Sequence, residues 1–268
     1  MGILNVTPDS FSDGGRFATT ASAIDQAARM VGEGADLLDI GGESTRPGAD
    51  DVPVDSELER VIPVLESVRD RFDVPLSIDT SKPDVMRAAV AAGATMINDV
   101  RALQADGALA AAVELEVPVC LMHMQGLPRT MQKAPRYADV TTDVRDFLRS
   151  RMETCIAAGV AADRIVLDPG FGFGKTVDHN LQLLRELAKI ADLGAPVLVG
   201  LSRKSMIGAL LDLDVDDRLH ASVALALIAA QNRAAIVRVH DVGPTVDALR
   251  IWEYASAAGE RADRSDDG

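Results

Sequence analysis

Eight short apolar runs, interleaved with longer Ala- and Leu-rich stretches, constrain this chain more than any other feature. The runs cover residues 2–6, 36–41, 75–80, 96–100, 118–124, 165–169, 196–202 and 236–241. Most are too continuously apolar for strands with one wet face. Solid hydrophobic runs mark parallel strands covered on both sides. The stretches 23–34, 55–71, 82–92, 143–159, 181–193, 218–232 and 244–258 repeat their apolar residues with the helical period. Gly34, Gly93 and Gly159 stand where such helices stop. Eight strand-helix units in about 250 residues predict a (β/α)8 TIM barrel, a single α/β domain. An open doubly wound sheet uses the same alternation but normally fewer strands. Residues 1–258 are expected to form the barrel, and the charged stretch 259–268 a frayed tail.

Composition excludes several function classes. With 41 acidic against 27 basic residues the formal charge is −14, the wrong sign for a nucleic-acid binder. The longest nearly unbroken apolar stretch, around 222–230, is about half what a bilayer span needs. The opening Met-Gly-Ile-Leu-Asn has no basic region followed by an apolar run, so no secretory signal is expected. Cys120 and Cys155 lack metal-ligand spacing, which predicts reduced thiols and a cytoplasmic setting.

Each predicted strand ends in a polar residue: Asn5, Asp39, Asp79, Asn98, His123, Asp168, Ser202 and His240. In a barrel these ends gather at the carboxyl-terminal mouth, where active sites of this fold are built. Residues two apart on a strand share a face, so Arg238 goes with His240, Ser77 with Asp79 and Asp39 with Gly41. Two chemistries emerge. Asp79, Asn98 and Asp168 offer carboxylate and amide oxygens, which suit a nitrogen heterocycle rich in N–H donors better than a metal. Arg46, Arg203, Lys204, Arg238 and His240 concentrate positive charge in an acidic protein, as a phosphate or diphosphate site requires. The glycine-containing loops 7–15 and 41–48 bring backbone N–H groups near a ligand, and Phe11 would be a lid over it.

Other motifs fail. Gly170-Phe-Gly-Phe-Gly-Lys-Thr176 has the look of a P-loop, but that motif needs glycine where Pro169 stands. Asn5-Val6-Thr7 fits a glycosylation sequon that carries no weight without a secretory signal. His123 reads as a satisfied barrel histidine, His179 and His220 as helical surface or structural residues. No Ser-His-Asp or Cys-His set is present.

These segments resemble those of a known family. Met1-Gly-Ile-Leu-Asn-Val-Thr-Pro-Asp-Ser-Phe-Ser-Asp-Gly-Gly15 and Asp39-Ile-Gly-Gly-Glu-Ser-Thr-Arg-Pro-Gly48 are similar to the two signature motifs of the dihydropteroate synthases. Ser77-Ile-Asp-Thr80, Ile97-Asn-Asp99, Leu167-Asp-Pro-Gly-Phe-Gly-Phe-Gly-Lys175, Ser202-Arg-Lys-Ser205 and Arg238-Val-His-Asp-Val242 continue the series in order. The resemblance implies a transferase that joins p-aminobenzoate to hydroxymethyl-dihydropterin pyrophosphate in folate synthesis. It assigns the pterin to Asp79, Asn98, Met122, Asp168, Phe173 and Lys204, and the pyrophosphate to Thr45, Arg46, Arg238 and His240. Phe11, Pro47 and Ser205 would border the aminobenzoate, Asp13 would help the first loop close, and Asn5 would contact Mg²⁺. Lys204, Arg238 and Asp79 would carry catalysis, through a pterin-methyl cation guarded from water by the loops. A homodimer formed through helices is also implied.

Family members usually carry a short segment ahead of the first strand that this sequence lacks, a difference expected to affect stability rather than activity. Two rivals share some features. Methyltetrahydrofolate-dependent methyltransferases bind pterin but have no use for Thr45-Arg46 and Arg238-Val-His240. A binding-only paralogue would be expected to have lost Asn5, Lys204 or the first loop.

Overall fold

A computed structural model of the protein describes residues 1–7, 15–44, 51–126, 131–132 and 134–263. Among these, strands β1 (Gly2–Asn5), β2 (Leu38–Gly41), β3 (Leu76–Asp79), β4 (Met96–Asp99), β5 (Val119–Met122) and β6 (Ile165–Asp168) pair in parallel and in chain order. β7 (Leu198–Val199) pairs with β8 (Ile236–Val237). Parallel bridges Leu167–Val197 and Gly2–Val239 join the two groups, with Leu167 N–H on Pro196 O and Ile3 N–H on Val239 O, both 2.9 Å. The ring is thereby completed and the expected (β/α)8 barrel is the fold. Each strand lies within its apolar run but is shorter, because the run extends into the turn that leaves the ladder.

Two apolar regions divide the work. The larger packs the helices onto the outside of the sheet. The smaller, Met1, Met96, Cys120, Val166 and Leu198 with Leu37 and Ile236, plugs the barrel interior. Side chains two residues further along the same strands point the same way. Asp39, Asn98, Met122, Asp168 and Arg238 therefore stand one level above that plug, towards the mouth.

The helices are α1 (Gly15–Gly32), α2 (Val54–Arg71), α3 (Pro83–Ala91), α4 (Ala108–Leu115), α5 (Val140–Ala158), α6 (Val177–Arg185), α7 (Ala188–Ala191), α8 (Ser205–Leu211), α9 (Leu219–Gln231) and α10 (Val242–Asp263). Several differ from the periodic stretches, among them α1, which begins at Gly15 rather than at residue 23, and α8, which no stretch covers. α4 has only eight residues between left-handed Gly107 and Glu116, too few for periodicity to register. The stretch 181–193 is two helices, and α6 begins earlier because Thr176 and His179 form a reciprocal capping box. α10 continues past Ala258 to Asp263. Among the described residues no helix is long and apolar enough to cross a membrane.

Candidate active site

At the carboxyl ends of β2, β3, β4 and β8 four side chains form one buried network. Arg238 donates from Nε to Asp39 Oδ2 at 2.6 Å and from Nη2 to Asp79 Oδ2 at 2.9 Å. Asn98 Nδ2 donates to the same Asp39 oxygen at 3.0 Å. Asp39 Oδ1 and Ser77 Oγ, on facing positions of β2 and β3, are buried and have no hydrogen-bond partner among the described residues. Such atoms are rare in folded interiors. Burial drives the Asp79 carboxyl up to about 7; Arg238 opposes this, while Asp39, Glu57 and Asp99 push further upward. Burial also works against the Arg238 charge, but the two carboxylates outweigh it and hold the guanidinium protonated.

The next arc of the mouth is built from β5, β6 and the start of α8. Met122 and Asp168 are buried facing partners on β5 and β6. Asp168 Oδ1 accepts from Gly170 N–H at 2.7 Å. Burial raises the Asp168 carboxyl, against Gly170 N–H, Lys204, Lys175 and Arg238. The Gly170–Lys175 loop then turns tightly back on β5. Gly170 has φ +68°, and a Cβ there would lie 1.9 Å from His123 O. This turn presents Phe173, over whose ring Lys204 Nζ sits at 4.2 Å. Lys204 has no hydrogen-bond or ion-pair partner among the described residues, and burial lowers its ammonium to about 8.

Lys175 lies beneath this loop. Its Nζ donates to Gly170 O at 2.8 Å and Phe173 O at 3.1 Å, and meets His123 Nδ1 at 3.0 Å. Burial lowers Lys175 to about 7 and, with Lys175 beside it, His123 to about 3. His123 packs edge-on against Phe147, so at the end of β5 Met122, not His123, faces the mouth.

The remaining expected residues divide. Asn5 ends β1 half-buried, and Ser205 is exposed at the first position of α8. His240 meets Ser202 Oγ through both its backbone N–H (3.1 Å) and Nδ1 (3.0 Å). Arg203, counted among the anion-binding cations by sequence, instead grips Asp241 with both arms at 3.0 and 2.7 Å. Phe11, Asp13, Thr45, Arg46 and Pro47 lie outside the described residues. Three features escaped the sequence reading: Asp39 as the partner of Arg238 and Asn98, the loop-bracing Lys175, and an ion cluster at the foot of the second loop. In that cluster Lys82 Nζ reaches Glu43 (2.6 Å) and fully buried Glu57 (2.5 Å), and Glu43 also accepts from Val52 N–H at 2.8 Å. Only Asp39 carried a signal, its polar position at a strand end.

The arrangement offers deep acceptors to a flat N–H-bearing ring, an apolar wall, and cations toward the mouth. The sequence profile described as "Pterin binding enzyme" matches residues 1–240. The chain is 55% identical to a dihydropteroate synthase of Haemophilus influenzae over 96% of its own length and 94% of the relative's. Among solved structures it is similar to Xanthomonas albilineans dihydropteroate synthase with 4-aminobenzoic acid (TM-score 0.91, 55% identity, 96% of this chain and 92% of that one). It is also similar to the Yersinia pestis dihydropteroate synthase in a sulfonamide complex (TM-score 0.92, 53% identity, 96% and 94%).

Proposed function

Since the chain belongs to the pterin-binding enzyme family, with dihydropteroate synthases as its near relatives, we propose that it condenses hydroxymethyl-dihydropterin pyrophosphate with p-aminobenzoate, releasing pyrophosphate and forming dihydropteroate for folate synthesis. The observation that carries this reading is the convergence of Asp79, Asn98 and Asp168 with Lys204 around Met122 and the Phe173 ring.

In this reading Asp168 accepts the pterin amino and lactam N–H groups together, and Lys204 donates to the ring carbonyl and a ring nitrogen. Asn98 and Asp79 take the remaining polar edge, with Met122 and Phe173 against the ring faces. Thr45, Arg46, Arg238 and His240 hold the pyrophosphate. Phe11, Pro47 and Ser205 border the aminobenzoate, and Asp13 helps the first loop close. Electron donation from the dihydropterin ring lets the carbon–oxygen bond break first with departure of pyrophosphate. The aniline nitrogen, already a free base, attacks the resulting cation and then loses a proton to water or to the departing pyrophosphate. The residues therefore need to bind, orient and exclude water rather than supply a strong base.

Mg²⁺ belongs to the proposal as a partner of the substrate. Among the described residues no three His, Cys, Asp or Glu side chains are grouped so as to hold a metal ion, and Asn5 contributes one neutral oxygen. Such a donor set fits Mg²⁺, which keeps waters and substrate phosphates as ligands. When bound, it would neutralise the leaving pyrophosphate. A homodimer is supported by exposed Ile251 (70%) and Tyr254 (76%) on α10, and a cytoplasmic setting by two free, buried cysteines. A sulfonamide is expected to compete with the aminobenzoate.

The test is pyrophosphate release by purified protein with the pterin pyrophosphate, Mg²⁺ and p-aminobenzoate. Release that requires aminobenzoate and is lost in Lys204→Ala supports the reading. Full turnover by Arg238→Ala at saturating substrate would overturn Arg238's role, and tight pterin binding without release would indicate a binding-only protein.

A further inference from the structure

We propose that Asp39 is a positioning residue for the pterin end of the site, fixing which way the Asn98 amide faces and dividing Arg238 between two carboxylates. The inference rests on the reading of the site given above. Asp39 and Ser77 are facing partners, whereas Asp79 faces Gly41 two residues further along, so Asp39 lies one level deeper than Asp79. It is fully buried, and its donors among the described residues are Asn98 Nδ2 and Arg238 Nε.

An ionised carboxylate only accepts. Facing Asp39, the amide of Asn98 must turn its NH₂ inward, which leaves its carbonyl oxygen to face the mouth and accept from a ligand. A neutral amide at position 39 would remove that compulsion, because Asn98 would then find a partner in either orientation. The same carboxylate acts on Arg238. Its planar guanidinium carries five N–H groups in a fixed fork. One is held by Asp39 and one by Asp79, leaving three for other acceptors. Without Asp39 the fork is free to close on Asp79 with both arms, the favoured geometry of an arginine–carboxylate pair. Asp79 would then be occupied by the protein instead of by the heterocycle.

Substitution of a residue that touches no substrate should therefore weaken pterin recognition. Asp39→Asn is expected to raise KM for the pterin substrate by about tenfold, the size of one lost hydrogen bond. The KM for p-aminobenzoate and the melting temperature should change little. Asn98→Asp alone should be impaired too, because two carboxylates then face one another. The double variant Asp39→Asn/Asn98→Asp exchanges donor and acceptor and restores the total charge. The amide introduced on β2 would donate to the carboxylate introduced on β4, whose outer oxygen again accepts from a ligand. The pterin KM should then return toward that of the parent. A purely structural role for Asp39 predicts instead that the melting temperature and the KM for both substrates move together in the single variants.

Titration calorimetry of dihydropterin on the same variants reads the effect without turnover. This separates failure of the Asp39 proposal from failure of the proposed reaction, which would show instead as no aminobenzoate-dependent release by the parent protein. Unchanged dihydropterin affinity in folded Asp39→Asn would overturn the proposal. So would a double variant as weak as the two single losses combined, including the case in which Asp39→Asn does not fold.

Discussion

Lys175 and Lys204 stand at neighbouring strand ends, after β6 and β7, and burial depresses both ammonium groups, to about 7 and about 8. Their partners differ completely. Lys175 directs its three N–H groups to Gly170 O, Phe173 O and His123 Nδ1, so it is consumed in folding the glycine loop back on β5. Lys204 rests over the Phe173 ring with no ion pair or hydrogen bond among the described residues. One lysine is part of the scaffold; the other, in the proposed reading, is held for the pterin. Burial and a shifted pKa are common to both and do not distinguish the two roles. What separates them is whether the donors are already taken.

The sharpest test of that division is Lys204→Met. It should lower kcat/KM by ~10²–10³, the loss typical for one preorganised donor at a reacting centre, while thermal unfolding shows no drop. A comparable fall in melting temperature would mean that Lys204 is scaffold as well. Gly170→Ala comes next, through stability: its Cβ would meet His123 O at 1.9 Å at a positive φ, costing about 3 kcal/mol. Gly194, also at positive φ but with nothing within 4 Å of an added methyl, should lose only ~1 kcal/mol on the same change, which isolates the clash from the backbone strain.

Lys175→Met removes one charge and leaves three acceptors unpaired. A net loss of about 2 kcal/mol is expected, read as a drop of roughly 4–8 °C in melting temperature. If it abolished turnover at an unchanged melting temperature, the contrast between the two lysines would fail. The contrast also has a pH signature. Lys175 has a depressed folded pKa of about 7, so the folded state binds fewer protons than the unfolded chain above that value. Its contribution to stability should rise as pH goes from 7 toward the ordinary lysine range, and that slope should vanish in Lys175→Met. The Asp79 carboxyl is raised to about 7, so its contribution falls as pH rises from the ordinary aspartate range through 7. For turnover, an ionised Asp79 and a protonated Lys204 predict a narrow bell in kcat/KM with limbs near 7 and 8. Lys204→Met should remove the alkaline limb from whatever activity remains.

Much of the fold was legible because burial on both faces writes itself into sequence as unbroken apolar runs. All eight strands fall where those runs predict them, and α2 and α3 match their periodic stretches to within a residue. Elements that hold too few residues to repeat were not legible: α4 and α8 are eight and seven residues long. The candidate site could be proposed from strand-end chemistry, since Asp79, Asn98, Asp168 and Arg238 are polar or charged residues set in largely apolar runs. Arg203 shows the limit of that reading. Nothing local distinguishes it from a substrate-binding cation, yet Asp241 takes both its arms.

The sequence by itself determined the alternation of strands and helices, the polar set at the strand ends, and the motif series that matches a pterin-binding family. Tertiary structure alone decided which of those groups spend their hydrogen bonds on one another. Asp39 and Arg238 are 199 residues apart and meet only because the ring closes between β8 and β1. Lys175 finds His123 across 52 residues for the same kind of reason. A donor's chemistry is fixed by its residue type, but its availability depends on which acceptors the closed barrel brings within about 3 Å, and no local pattern in the chain records that distance.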